Sequence, residues 1–267
     1  MQNLNFWQVD AFTAKPFKGN PAAVFILDEP LEDKLMLNIA KEMNLSETAF
    51  LVLKPDSNPY LRWFTPMFEI DLCGHATLAT AHVYFSEYFS SLNEVTFDTK
   101  YAGPLKVVKN DDYMTMDFPS RPGKVIRFND VPNFVYKALS NINPIDVKQS
   151  RDLMLVYENE ETILNMKPDF NALMQYDGFI IVTAKTKNTE FDFISRFFCA
   201  SDGIQEDPVT GSAHSTLTPY WSEKLEKHIM IAYQASERGG VLYLKMNEDR
   251  VEISGNAVTI FKGEMFI

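Results

Sequence analysis

The hydrophobic pattern along the chain changes repeatedly between the two-residue period of strands and the roughly four-residue period of helices. Residues 6–10 alternate apolar and polar side chains, which predicts a first strand, and the apolar run at 22–27 predicts a second, more buried one. Apolar side chains recur every fourth residue from 31 to 43, which predicts an amphipathic helix after a proline. Further strands are expected at 46–53, 61–65, 95–97, 105–108, 113–118, 152–157, 178–184 and 191–200, and further helices at 168–176 and 209–227.

The stretch Leu72–Val83 differs from the rest of the chain because it consists mostly of small residues, with no Asp, Glu, Lys or Arg before Glu87. This pattern predicts a helix that is hydrophobic all round and enclosed by other elements. The helix is expected to begin at Gly74, after a turn. A helix N-terminus presents unpaired N–H groups and about half a positive charge, so this one is expected to attract anions.

A second stretch of the same kind begins at Gly211. The tripeptide Arg-Trp-Phe at 62–64 precedes the first helix start, and Arg-Phe-Phe at 196–198 precedes the second. A later glycine follows each helix start after 29 residues, at Gly103 and at Gly240. An offset of 137 residues in a chain of 267 predicts two copies of one domain.

Two prolines and a glycine between Pro119 and Gly123 mark the expected crossover between the copies. We expect an N-terminal domain over residues 1–118, completed by the C-terminal strand 256–267, and a C-terminal domain over 119–255. Related domains with glycine-led helix starts would face each other across a cleft, where pockets tend to form. The active site is expected in that cleft.

Composition narrows the classes of function. The hydrophobic fraction of 46% is ordinary for a globular protein, and the net charge of −11 argues against a nucleic-acid or membrane-surface binder. A small anionic substrate stays compatible, because a local pocket can oppose the global sign. No apolar run is long enough to predict a membrane-spanning helix, and the N-terminus lacks a signal-peptide layout. With only two cysteines, the chain is expected to have no disulfide framework and to reside in a reducing cytoplasm.

Three polar side chains stand where acid–base or binding chemistry is plausible. Glu47 begins an apolar strand, and a carboxylate on such a rim can serve as a general base, although the residues alone favour a helix-end or turn glutamate in solvent. Asp207 stands at the position of an N-cap before the second helix start. Ser212 lacks the Gly-x-Ser-x-Gly context of a hydrolase nucleophile, which favours hydrogen bonding to a ligand.

The first helix start adds His75 and Cys73. The positive helix end favours a neutral imidazole at His75, which can pass a proton or donate a hydrogen bond. His82 lies seven residues on and shares a helix face, but no third zinc ligand stands at a diagnostic spacing, so no metal is expected. A thiol at the helix start would be acidified, although Cys73 also fits as a small buried residue. The glycines form no nucleotide-binding fingerprint.

Taken together, these motifs resemble the PhzF, or phenazine biosynthesis-like, family over residues 9 to about 264. The resemblance rests on residues 9–13, 19–22, 45–50, 73–77, 206–214, 234–240 and 255–258. It implies the diaminopimelate-epimerase-like α+β fold, with two pseudo-symmetric domains that are each a mixed, largely antiparallel barrel-like sheet wrapped around a central helix. It also implies cofactor-free isomerisation by proton transfer, in a homodimer.

Carried over to this chain, the resemblance implies specific site residues. Glu47 matches the general acid/base, and His75, Asp207 and Ser212 match the other polar positions of the active site. Gly74 and Gly211 match the helix-start glycines near the substrate, where the resemblance implies a role in substrate binding rather than in catalysis. The related epimerases use two opposed cysteines, whereas here Cys73 is matched by Thr210, which argues against a two-thiol racemase.

The resulting hypothesis is an isomerase in which Glu47 moves a proton within a small carboxylate-bearing substrate. Two alternatives stay open from the residues alone. One is an epimerase or racemase of an amino-acid-like compound, and the other is a non-catalytic ligand-binding or interaction protein of the same fold.

Overall fold

The computed structural model describes residues 3–110, 113–202 and 204–267, and its strands and short helices form an α+β fold. The strands are β1 Asn3–Ala11, β2 Asn20–Leu27, β3 Glu47–Val52, β4 Tyr60–Phe64, β5 Glu69–Ile70, β6 Glu94–Thr99, β7 Leu105–Asn110, β8 Tyr113–Pro119, β9 Lys124–Val125, β10 Asp146–Gln149, β11 Leu153–Val156, β12 Ile180–Lys185, β13 Phe193–Cys199, β14 Ile204–Glu206, β15 Ile229–Gln234, β16 Gly240–Asn247, β17 Arg250–Gly255 and β18 Ala257–Phe266. The α-helices are α1 Asp33–Met43, α2 Gly74–Val83, α3 Asn133–Leu139, α4 Glu160–Leu164, α5 Phe170–Leu173 and α6 His214–Leu225.

The chain divides into two compact units, each with its own core. The first consists of Met1–Asp117 and Ile253–Ile267, so the C-terminal β18 pairs antiparallel with β1 of the same unit. The second is the continuous segment Phe118–Glu252.

The two units repeat one order of strand pairing. In the first, β1–β2 is antiparallel, β2–β3 is parallel across α1, β3–β4 is antiparallel, β4–β6 is parallel across α2, and β6–β7 is antiparallel. In the second, β10–β11, β11–β12, β12–β13, β13–β15 and β15–β16 follow with the same alternation of directions, and α6 stands in the place of α2. The internal repeat seen in the sequence is therefore a duplication of topology.

The duplication extends to side chains on equivalent strands. Arg62 on β4 forms a bidentate salt bridge with Glu69, with hydrogen bonds of 2.6 and 2.7 Å. Arg196 on β13 forms the same arrangement with Glu206, at 2.7 and 2.8 Å. Each guanidinium also lies 5.1 Å from the ring of a phenylalanine two residues on. Such bidentate pairs fix geometry as well as energy, so they hold the short strands β5 and β14 in place.

The strands next to the central helix are apolar because both faces are covered. On β2, Ala23, Phe25 and Leu27 pack with α1 in one cluster, while the alternate residues point to the opposite face. That second face is covered by α2, which contacts β1, β2, β3 and β18. Every residue of α2 except His82 is buried, as the all-apolar pattern predicts.

Some elements differ from the sequence expectations. The helix expected at 168–176 is only the single turn α5, and the one at 209–227 opens with a 3₁₀ turn over Gly211–Ala213 before α6. Helices α3 and α4 and a π-helical turn at Tyr84–Tyr88 were not predicted. Segments of five to seven residues span fewer than two helical turns, so a period of 3.6 barely shows in them. Within the described residues, no helix has the length and apolar character needed to cross a membrane.

Gly19 and Gly103 both have a positive φ angle, but only Gly19 lies close to other atoms. Comparing them tests how tightly the turn between β1 and β2 is packed. Gly19 has a φ of 65°, and a Cβ there would lie 2.1 Å from the Ala11 carbonyl oxygen, whereas Gly103 has a φ of 74° with no atom within 4 Å of its Cβ position. We predict that Gly103→Ala lowers the free energy of unfolding by about 1–2 kcal/mol through left-handed strain. Gly19→Ala should cost a further ~1–3 kcal/mol through overpacking.

Urea denaturation of the two variants and the parent chain measures this difference. Equal losses for Gly19→Ala and Gly103→Ala would show that the close approach to the Ala11 carbonyl does not constrain this turn.

Candidate active site

The Glu47 carboxylate lies at the rim of the first unit, at the first residue of β3. Its backbone pairs with Ala22 of the parallel neighbour β2, and the rest of β3 is buried. The Glu47 side chain is 16% exposed. A short apolar strand thus begins with a carboxylate that is partly exposed at its rim.

The imidazole of His75 lies beside that carboxylate because α2 begins one residue earlier, at Gly74. His75 Nε2 is 3.3 Å from Glu47 Oε2, although the two atoms are not aligned as a hydrogen bond. Burial lowers the pKa of His75 to about 3, so the ring is neutral at physiological pH. The neutral imidazole that the sequence led us to expect is therefore a product of desolvation, and Glu47 is not locked in an ion pair with it.

Asn20 orients the other edge of the ring. Its Nδ2 lies 3.1 Å from His75 Nδ1, and because an amide nitrogen only donates, Nδ1 is the acceptor. The single proton of the neutral ring then sits on Nε2, facing Glu47. Asn20 is itself fully buried at the start of β2, where the turn at Gly19 places it.

Cys73 completes this group. It is the N-cap residue of α2, with extended backbone and no capping side chain, and its Sγ lies 3.4 Å from His75 Nδ1. Thr77 donates its hydroxyl to the Cys73 carbonyl at 2.5 Å, which fixes the first turn of the helix. Cys73 is buried, so both readings made from the sequence, a packed small residue and a thiol at a helix start, describe its position.

The second unit holds the remaining predicted residues at the equivalent helix start. The N-cap there is Thr210, and the expectation that Asp207 is the N-cap was wrong. Asp207 instead accepts a short hydrogen bond from the Thr210 hydroxyl. The fully buried Gln234 fastens this loop, since its amide accepts from Thr210 N at 2.8 Å and donates to the Asp207 carbonyl at 2.8 Å.

Ser212, one residue after Gly211, has a charged neighbour that the sequence did not suggest. Arg151 Nη2 donates to Ser212 Oγ at 3.1 Å. The same guanidinium makes two bonds of 2.7 Å to Asp152, whose side chain is 2% exposed, while the Arg151 side chain is 41% exposed. A buried carboxylate thus holds a partly exposed guanidinium next to the helix start.

His214 occupies the position in the second unit that Thr77 holds in the first. Its Nδ1 lies 2.9 Å from the Thr210 carbonyl, as Thr77 lies against the Cys73 carbonyl. The ring is fully buried and stacks on Phe193, and burial lowers its pKa to about 4 despite the hydrogen bond to Thr210. Both helix starts therefore have the carbonyl of their N-cap residue bound by the side chain four residues on.

The structure brings Glu47 and His75 together at the helix start that Gly74 begins. In the second unit, Ser212 lies next to Gly211, and Asp207 is hydrogen-bonded to Thr210. His82 takes no part in the group around His75, because its Nε2 lies 3.0 Å from the Thr259 hydroxyl. Sequence reasoning gave no role to Asn20, Gln234 or Arg151. Asn20 and Gln234 do stand inside the recognised motifs, whereas Arg151 carries no sequence signal.

Comparisons with known proteins identify the family of the chain. Residues 9–263 match the profile of the phenazine biosynthesis-like (PhzC-PhzF) proteins. The chain belongs to the PhzF family. It is 46% identical to an uncharacterized isomerase of Halalkalibacterium halodurans, with full coverage of both chains. A crystal structure of a PhzF-family protein from Enterococcus faecalis, 43% identical, matches with a TM-score of 0.93 and full coverage of both chains. The resemblance read from the motifs is confirmed, and the chain is an isomerase of the PhzF family.

A more distant likeness supports the predicted fold class. A probable proline racemase from Agrobacterium radiobacter matches with a TM-score of 0.62 at 9% identity, covering 99% of this chain and 93% of that one. At this identity the match shows the fold alone. The expected diaminopimelate-epimerase-like architecture of the PhzF family is therefore confirmed.

The buried His214 predicts a specific acid sensitivity. Its folded pKa of about 4 lies below the ordinary 6.5, so between these values the unfolded chain binds a proton that the folded chain does not. Stability is then fully present above pH 6.5 and falls as the pH drops, by ~1.4 kcal/mol per pH unit for this group. We predict that His214→Asn, which keeps a donor for the Thr210 carbonyl, removes that part of the slope.

Urea titrations at several pH values between 4 and 7 measure the slope in both proteins. An unchanged slope in His214→Asn would show that the folded chain binds a proton at His214 over the same pH range as the unfolded chain, which contradicts the prediction.

Proposed function

We propose that this PhzF-family isomerase moves a proton between two carbons of a small carboxylate-bearing substrate, with Glu47 as the general acid/base. The observation that carries the proposal is the rim carboxylate of Glu47 held 3.3 Å from a neutral, buried His75. The carboxylate takes a proton from a carbon acid and becomes a carboxylic acid, and the electron pair left behind is delocalised over the substrate. The same proton then returns to another carbon.

His75 supports this step without carrying a charge. With Nδ1 accepting from Asn20, the ring proton is on Nε2, 3.3 Å from Glu47 Oε2, and a small rotation of the carboxylate would let Nε2 donate to it or relay a proton. A neutral ring also avoids a permanent salt bridge, which would hold the carboxylate away from the substrate. The base is the Glu47 carboxylate rather than one of two opposed thiols, because the N-cap position that carries Cys73 in the first unit carries Thr210 in the second.

The substrate carboxylate has a candidate binding group in the second unit. Arg151 and Ser212 present a guanidinium and a hydroxyl 3.1 Å apart beside Gly211. Arg151 is already fixed by Asp152, so a substrate anion would meet a preorganised donor rather than a flexible one. We propose that Gly74 and Gly211 let the substrate approach the backbone at the two helix starts, and that Asp207 assists proton return.

The full proposal requires both units to act on one substrate in the cleft predicted from the sequence. A homodimer in the cytoplasm, acting without a cofactor on a small anionic substrate and not on nucleic acid or membranes, stays our prediction for the working protein. Nothing in the proposed chemistry requires a cofactor, because a carbon acid next to unsaturation can be deprotonated by a positioned base alone.

The first test of the proposed function concerns Glu47. In D₂O, a panel of unsaturated small carboxylates is incubated with the protein, and loss of C–H signals is followed by NMR. We predict exchange for at least one compound, and a ~10²- to 10⁴-fold slower rate for Glu47→Gln, because removing a positioned base costs about that much.

The matched control is Glu42→Gln, an exposed glutamate at the end of α1, which should exchange at the parental rate. Parental turnover by Glu47→Gln would contradict the mechanism. Ligand-induced stabilisation without exchange of any compound would favour the non-catalytic alternative.

The second prediction concerns Arg151. For the compound that exchanges, Arg151→Met should raise KM by roughly tenfold or more, because a hydrogen bond to a charged group is worth about 1.5–3 kcal/mol. Arg127→Met is the control, since Arg127 is paired with Asp130 and its side chain is 88% exposed. A lower kcat with unchanged KM for Arg151→Met would place this residue outside carboxylate binding.

A further inference from the structure

Three metal-binding side chains meet at the first helix start. Glu47, Cys73 and His75 each offer one donor atom, and these atoms lie within 4.8 Å of one another. Cys73 and His75 are buried, and the Glu47 side chain is 16% exposed. The sequence did not reveal this set, because Glu47 stands on β3, remote in the chain from the helix.

We propose that Glu47, Cys73 and His75 form a binding site for a thiophilic divalent cation, Zn²⁺ being the chemical type. Thiolate, imidazole and carboxylate are the three ligand classes that zinc takes in proteins, and three protein ligands leave a fourth position for water. On binding, the Cys73 thiol gives its proton to solvent and coordinates as the thiolate. The His75 ring is neutral, and its Nδ1 lone pair, which otherwise accepts from Asn20, coordinates the ion while the ring proton stays on Nε2.

The present distances are close to those of a ligand set. Zinc–ligand bonds of about 2.0–2.3 Å require donor atoms roughly 3.3–3.8 Å apart. The Cys73 Sγ lies 3.4 Å from Nδ1 and the Glu47 Oε2 lies 3.3 Å from Nε2, so the two groups face different nitrogens of one ring. One ion uses one nitrogen, and because the three donor atoms lie within 4.8 Å of one another, side-chain rotations that close the widest gap by about an ångström bring them to the spacing of zinc ligands.

Occupation of this site has a functional consequence that rests on the proposed function. A cation bound to Glu47 withdraws the carboxylate from proton transfer, so the ion is a reversible inhibitor. Binding itself depends only on the three side chains and is separable from turnover.

Cobalt(II) provides a readout that does not depend on activity. A cobalt–thiolate bond gives an intense near-ultraviolet absorption, and displacement of Co²⁺ by Zn²⁺ then reports the zinc affinity. We expect one equivalent of Co²⁺ to produce this band in the full chain. Cys73→Ser should abolish it and weaken Zn²⁺ binding by a hundredfold or more, since even partners of metal ligands are worth roughly 10–100-fold.

Cys199→Ser is the matched control, because Cys199 is the other buried cysteine and lies on β13 of the second unit. It should keep the cobalt band. Glu47→Gln should keep the thiolate band with weaker affinity, and circular dichroism of the metal-free variants checks that each is folded.

The absence of saturable Co²⁺ and Zn²⁺ binding, or a band that persists in Cys73→Ser, would overturn the site. If Zn²⁺ binds as expected while proton exchange by the parent protein continues at full rate, the inhibitory consequence is wrong. If no compound of the panel exchanges, the proposed function fails, yet the cobalt band still decides the metal site.

Discussion

The desolvation of His75 is the constraint on which the candidate site depends. The ring is buried because α2 packs against β1, β2, β3 and β18, and burial lowers the pKa of the imidazole to about 3. A neutral ring placed 3.3 Å from Glu47 cannot neutralise that carboxylate. Small residues along α2 let the strands pack closely against the helix. The same close packing buries His75 and so keeps the imidazole beside Glu47 neutral.

Duplication explains how the fold supplies two helix starts with different chemistry. In both units the carbonyl of the N-cap residue accepts a hydrogen bond from a side chain one turn later, Thr77 in the first unit and His214 in the second. The scaffold is therefore conserved between the copies, whereas the N-cap residues, Cys73 and Thr210, have diverged. This divergence favours a single carboxylate base over a pair of opposed thiols.

The sequence predicted the long elements and the repeat because their periodicity is strong, as in α1 and α2. It also placed Glu47 at the beginning of the strand expected over 46–53, and β3 does begin at Glu47. It could not predict the partners of these residues, since Asn20 reaches His75 across 55 positions and Arg151 reaches Ser212 across 61. Such pairs arise from tertiary packing, which local pattern does not encode. The N-cap expectation for Asp207 failed for a related reason, because Thr210 lies closer to the helix and takes that position.

The most direct test of this account is the protonation state of His75, read from its ¹⁵N chemical shifts. The chain has four histidines, and comparison with His75→Gln assigns the signals. With a pKa of about 3 and Nδ1 accepting from Asn20, the ring is expected to stay neutral from pH 8 to about 5, with its proton on Nε2. An imidazolium signal near pH 6, or a proton on Nδ1, would contradict the arrangement that leaves Glu47 available as the acid/base.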